Sequence, residues 1–341
     1  MSARWHIDVA KAQQSSPAAA SMSTEEAARR VVEATRKHDW ATAFIHLRIL
    51  ADRGHAGSQA ILGNFYAGGL GTAKDGRQAV FWYRKAAEQG DALAQSRMGH
   101  AYREGLWGVS VDKAKAFDFF SKAAAQNDSD AQANLGWMYE YGEGAPMDYA
   151  KAMELYRKAA DQNDQFAQLH VGLMYNEGKG VHQDYAVAAE WFRNASDAGQ
   201  IDARTMLASL YLDGKGVPKD QAEAMRLFQS GAEAGDEQAE YFLGAMYVAG
   251  MGAPQDIAKG KSWLNKSAAQ GNANAKEALA IIDGAKSARL RDRIPPALQY
   301  RCFFEGAVPA AAGGKDINVK YEDCLRSNWK RLFGSAPFPA D

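Results

Sequence analysis

Cysteine is nearly absent from this chain. Only Cys302 and Cys324 occur in 341 residues, so the four-ligand spacings of structural zinc sites cannot be assembled. Histidine is scarce as well. The seven, at 6, 38, 46, 55, 100, 170 and 182, form no His-Glu-x-x-His and no His/Cys cluster; no metal ligands and no cofactor are expected. A Gly-x-Ser-x-Gly nucleophile elbow is missing, and nothing singles out one carboxylate pair, so no catalytic residue is assigned. No apolar run approaches the roughly 18 residues a membrane-spanning helix needs, which predicts no integral membrane segment. An excess of one charge is lacking too. The formal net charge is −1, unlike the basic balance of a dedicated nucleic-acid binder, and nucleic acid is not an expected partner.

The first residues, Met1 to Asp8, lack the apolar stretch of a secretory signal. As the sequence stands the expectation is a soluble, cytoplasmic protein, or a periplasmic one if a signal peptide was removed and Cys302 and Cys324 are oxidised to a disulfide. Residues 11–24 are rich in Ala, Ser and Gln, so residues 1–23 read as a flexible leader.

What is present is a repeat. A pattern of Leu-Gly-x-x-Tyr-x-x-Gly-x-Gly type returns six times at a spacing of 36 or 37 residues. Its small residue recurs as Gly63, Gly99, Gly136, Gly172, Ala208 and Gly244, its tyrosine as Tyr66, Tyr102, Tyr139, Tyr175, Tyr211 and Tyr247. A fixed period of this size means a stacked solenoid, which grows in one dimension without one central core. In the third copy Ala131, Leu135, Met138 and Tyr139 share one helical face. Gly142-x-Gly144 then breaks the helix. Asp148 suits the N-cap of a second helix, which carries Ala152, Met153, Tyr156, Ala159 and Ala160 on one side. Gly90, Asn127, Asn163, Gly199, Gly235 and Gly271 close the second helices, as the two residue types that most readily turn left-handed. Residues 24–54 read as a degenerate leading helix pair, residues 55–285 as six repeats plus a closing helix from Ala273 to about Lys286, and residues 286–341 as a non-repeat tail.

The period and the helix-B signature Trp82-Tyr83-Arg84-Lys85-Ala86-Ala87-Glu88-Gln89-Gly90-Asp91 resemble the Sel1-like repeat family, a relative of the tetratricopeptide repeat, over roughly residues 40–285. The resemblance implies an all-α, right-handed α-solenoid with a non-repeat C-terminal cap. It also implies a non-catalytic adaptor, scaffold or regulator, with an immunity-type protein neutralising an effector as one form. An enzyme, such as a hydrolase of cell-wall or lactam substrates, is the rival class. Two departures stand out. Ala208 replaces glycine, a change that should fit. Leu106-Trp107 lengthens the second copy by one residue and predicts a local protrusion.

Repeating positions are architecture first. Met138, Met174 and Met246 share one phase, and Trp82, Trp191 and Trp263 another; both sets read as core. Positions that vary carry the functional signal. If the stack resembles tetratricopeptide arrays, first helices line a concave groove. The partner-binding candidates there are His100, Arg103, Glu104, Trp137, Glu140, Tyr141, Leu173, Asn176, Glu177, Asp213 and Tyr241, with Trp107 on the insertion. The set is amphipathic and acidic in its middle. It reads either as a solvated face or as a groove for another protein, a peptide or helix bearing apolar and basic residues. Trp137 and Tyr141 favour the second reading, since aromatic side chains not needed for packing are typical binding anchors.

The tail carries ten Lys/Arg and six Asp/Glu over residues 286–341, a net of +4, against about −5 for the first 285. Tyr321, Cys324, Leu325, Asn328, Trp329, Leu332 and Phe333 form a helical stripe with Arg326, Lys330 and Arg331 on its polar side. It reads as a cap on the last repeat, or as a contact with a partner or with the acidic groove of another copy. Cys302 and Cys324 are a candidate disulfide, which would indicate an oxidising compartment; two reduced thiols are the alternative. Oligomeric state is not legible.

Overall fold

The capping residues act where the pattern puts them. Asp75, Asp112, Asp148, Asp184, Asp220 and Asp256 each precede a helix, and the carboxylate accepts a backbone N–H of its first turn. Asp91, Asp128, Asp164 and Asp236 do the same for first helices. A cap of this kind contributes about 1 kcal/mol. At the other end, Gly90 and Asn127 have φ of +91° and +67°.

A computed structural model describes residues 22–282. Among the described residues there are fifteen α-helices, one 3-10 turn and no strand. The leading pair is α1 (Thr24–Arg36) and α2 (Trp40–Asp52). Six hairpins follow: α3 (Ala56–Gly68) and α4 (Gly76–Glu88), α5 (Ala92–Glu104) and α6 (Lys113–Ala124), α7 (Ser129–Tyr141) and α8 (Tyr149–Ala160). Then come α9 (Gln165–Glu177) and α10 (Tyr185–Asp197), α11 (Ile201–Asp213) and α12 (Gln221–Glu233), α13 (Glu237–Ala249) and α14 (Ile257–Gln270). The closing helix is α15 (Ala273–Ile282). Most of the expected leader, the end of the closing helix, and the tail with Cys302 and Cys324 lie outside the described residues.

The helices fall into two compact units. One contains the residues up to Val171 together with Lys179–Val181; the other contains Gly172–Gly178 and the residues from His182 onward. In the first unit Phe44, Leu47, Leu62, Tyr83 and Met98 form one buried cluster, and Phe120, Ala131, Leu135 and Met138 another. In the second, Tyr241, Val248, Leu264, Ala275, Ala278 and Ile282 pack together. Met138, Met174 and Met246 are fully buried, as their shared phase predicts.

The small residue of the motif sets the distance between the two helices of a hairpin. A Cβ on Gly63 would lie 2.5 Å from the Tyr83 ring, closer than van der Waals contact allows, so only glycine lets α3 meet α4 at this spacing. Ala208 is fully buried, so its methyl is accommodated in the fifth copy.

A buried polar spine joins successive repeats and was not foreseen. Gln59 donates to the Ala51 carbonyl and accepts from Gln89 at 2.6 Å. Gln95 with Gln126, and Gln132 with Gln162, repeat the arrangement one and two hairpins later, each at 2.8 Å. In each pair an exposed glutamine donates to the buried amide oxygen of Gln59, Gln95 or Gln132, which would otherwise lack that partner.

The insertion does not protrude. Leu106–Gly108 form a 3-10 turn in which Trp107 takes φ +55°. The indole folds back onto Tyr83, with ring centroids 5.3 Å apart. Partial burial of a large ring against Tyr83 offsets the left-handed backbone, which costs a non-glycine residue about 1 kcal/mol or more.

Candidate functional site

Each first helix offers varied side chains at four positions spaced i, i+4, i+7 and i+11, which share one face. On α7 these are Asp130, Asn134, Trp137 and Tyr141. In the first unit this face borders a groove of about 660 Å³. Its lining comprises His100, Arg103 and Glu104 from α5, Lys113 from the start of α6, Asp130, Ala133, Asn134 and Trp137 from α7, then Glu143, Asp164 and Phe166.

Hydrogen bonds hold its polar wall. Arg103 donates to Glu104 at 2.6 Å and to Asn134. Asn134 donates to the Asp130 carbonyl at 2.7 Å. Lys113 is paired with Glu143. Both cations of the lining are thus engaged. Asp164 uses one oxygen to cap α9 and has no cationic partner among the described residues. Counting Glu104, Asp130, Glu143 and Asp164 against Arg103 and Lys113, the lining carries a net −2 with histidine neutral.

Aromatic rings supply the apolar part. The Arg103 guanidinium lies 5.3 Å from the centroid of Trp137, a cation–π contact. Tyr141 stands beside it at 4.9 Å, and is 53% exposed. Phe166 is 38% exposed although it packs 4.3 Å from His170. Rings held rigid yet left open to solvent are the side chains a partner can cover at low entropic cost.

Burial alone would push the Asp130 carboxyl up. The hydrogen bond and charge of His100, 2.8 Å away, and a hydrogen bond from Ser96 at 2.5 Å outweigh it and hold the group at about 2. Ser96, His100 and Asp130 do not form a nucleophilic triad. The serine and the imidazole converge on the same carboxylate oxygen, so the hydroxyl is not aimed at a base, and Ser96 is fully buried.

Several expected residues lie elsewhere. Glu140 is only 4% exposed. Its Oε2 accepts from the Tyr156 hydroxyl at 2.9 Å and meets His170 Nδ1 at 3.0 Å, so it is a core group and not a groove carboxylate. Tyr241 is 2% exposed and sits in the core of the second unit. Its phase, shared by Ala60, Ser96, Ala133, Leu169 and Thr205, is buried in every copy. Trp107 lines a separate recess with Arg77, Arg84 and Tyr102. In the second unit Leu173 and Asn176 are half-buried, Glu177 is exposed, and Asp213 is paired with Lys215 at 2.8 Å. His100, Arg103, Glu104 and Trp137 come together, with Tyr141 beside Trp137.

Sequence reasoning missed Asp130, Phe166, Asn134, Lys113, Glu143 and Asp164 as lining residues. A signal existed for two of them. Asp130 and Phe166 occupy one phase in the first turn, which reads Gly57, Leu93, Asp130, Phe166, Asp202 and Gln238 across the copies and so holds five residue types in six copies. Asp164 was hidden by its capping role.

The comparisons agree with this architecture. Residues 56–91, 92–128, 129–164, 165–200, 201–236 and 237–272 each match the family model described as Sel1 repeat. A solved Sel1 repeat protein from Oxalobacter formigenes is 30% identical, with a TM-score of 0.65 over 71% of this chain and 96% of its own. The protein c5321, a protective antigen present in uropathogenic Escherichia coli strains and displaying an SLR fold, is 28% identical. Its TM-score is 0.64 over 84% of this chain and 72% of its own. The immunity protein Pa5087 of Pseudomonas aeruginosa is 21% identical with a TM-score of 0.39, covering 73% of this chain and 89% of its own, which carries no functional argument. No curated protein matches. Among the described residues no helix is long and apolar enough to cross a membrane.

Proposed function

The chain belongs to the Sel1 repeat family, whose members are generally non-catalytic protein-interaction modules, and from that premise we propose that it binds a partner protein through the groove of its first unit. One observation carries the reading. Trp137 and Phe166 line a recess whose carboxylates outnumber its cations, with Tyr141 exposed beside it. This chemistry fits a peptide or helix that presents apolar and basic side chains. A net-negative lining disfavours nucleic-acid phosphate. An adaptor, a regulator and a neutraliser of an effector all use such a surface, and the partner's identity separates them.

The test is affinity capture from the native host, with Trp137→Ala/Tyr141→Ala as control. If the rings are hot spots, the double variant loses roughly 2 kcal/mol, or about 30-fold in affinity, for a captured partner. Equal binding of that partner by both forms would refute the groove.

A further inference from the structure

We propose that the apolar and cationic stripe of Cys324–Phe333 occupies the groove of its own chain, so that a partner protein must displace it. The proposal rests on the groove being the binding surface, as argued above, and adds a built-in competitor to it.

Charge complementarity is the first support. The groove's own cations are engaged, Arg103 with Glu104 and Lys113 with Glu143, while Asp164 has no cationic partner among the described residues. Cys324–Phe333 carries Arg326, Lys330 and Arg331 and no acidic residue. The same opposition holds for the chain as a whole, +4 over residues 286–341 against about −5 before them. Apolar complementarity is the second. Leu325, Trp329, Leu332 and Phe333 recur at helical spacing beside those cations, matching a lining that presents Trp137 and Phe166. Reach is the third. Residues 283–320 span up to roughly 125 Å when extended, so attachment after α15 does not confine the stripe to the last repeat. Tethering places it at an effective concentration on the order of millimolar. Even a weak intrinsic contact then keeps the groove occupied.

Cys324 is a native reporter for the test. In the full-length chain with Cys302→Ser, Glu104→Cys puts a thiol in the groove wall, and Glu154→Cys puts one on the exposed side of α8 as control. Under mild oxidation the Glu104→Cys form should close an intramolecular disulfide with Cys324 on the order of ten times faster than the control, the gain of a docked over a merely tethered thiol. Adding Arg326→Glu/Lys330→Glu/Arg331→Glu, or Trp137→Ala, should remove the difference, with melting of each reduced variant confirming the fold. Equal rates for the two thiols overturn the proposal. So does a product made only of disulfide-linked dimers, which would assign the stripe to a second copy. Partner capture separates this from the groove reading. Equal rates together with Trp137-dependent capture sink the competitor alone; selective trapping together with Trp137-independent capture sinks the groove as the partner's site.

Discussion

Glu140 and His170 meet at 3.0 Å inside the first unit, thirty residues apart in sequence and one repeat apart in space. The Tyr156 hydroxyl donates to the same carboxylate oxygen, and its ring stacks on the imidazole at a centroid distance of 4.9 Å. Burial pushes the Glu140 carboxyl up, but the hydrogen bond and charge of His170 and the bond from Tyr156 more than compensate, so its pKa is lowered. Burial, and after it the same carboxylate, push the Tyr156 hydroxyl far up.

Removing Glu140 should therefore destabilise the chain. Glu140→Ala leaves a buried hydroxyl and a buried imidazole without their acceptor, at a cost of about 2–3 kcal/mol. Glu140→Gln should cost less, since an amide oxygen still accepts. Denaturant unfolding at neutral pH measures both; equal stability of Glu140→Ala and wild type would mean the trio contributes nothing.

Asp130 gives a pH signature. Its folded pKa, about 2, lies below the 3.8 of the free group. A depressed carboxylate contributes stability that is complete above the unfolded value and is lost as pH falls toward the folded one. The stability difference between wild type and Asp130→Asn should shrink as pH falls from about 4 toward 2. Asp130 is half exposed, so the difference is modest. A gap that widens on acidification would contradict this assignment.

Gly63→Ala tests the helix spacing. Its new methyl would sit 2.5 Å from the Tyr83 ring, and overpacking of this kind costs about 1–3 kcal/mol. By contrast Gly90→Ala, where nothing lies within 4 Å of the added Cβ, meets only its left-handed backbone, at roughly 1 kcal/mol. Thermal melts that rank the two the other way would show that α3 and α4 adjust freely.

Trp107→Ala should lower stability by about 1–3 kcal/mol, through lost packing on Tyr83. The groove lies elsewhere, so capture of a groove partner should not change. Loss of capture with intact stability would return Trp107 to the binding surface.

The architecture was legible because it is written in local chemistry. Asp caps, Gly and Asn closures and a 36-residue phase each act within a few residues of themselves, and hairpin ends fall where those signals stand. Repetition also told core from surface at Met138, Met174 and Met246. It misled at Tyr241, since its phase is occupied mostly by small residues whose burial leaves no trace in composition. Glu140 misled for a related reason. A carboxylate one residue before an exposed position looks exposed, until Tyr156 and His170 from two other helices claim it.

By itself, then, the sequence determined the fold class and the family, since these depend on periodic and local terms. Only the tertiary structure decided which varied side chains share a surface. It brought Asp130, Asp164 and Phe166 to His100, Arg103 and Trp137, buried Glu140, and turned Trp107 inward. Contacts between residues about thirty apart depend on how one helix stacks on the next, and no single stretch of sequence carries that information.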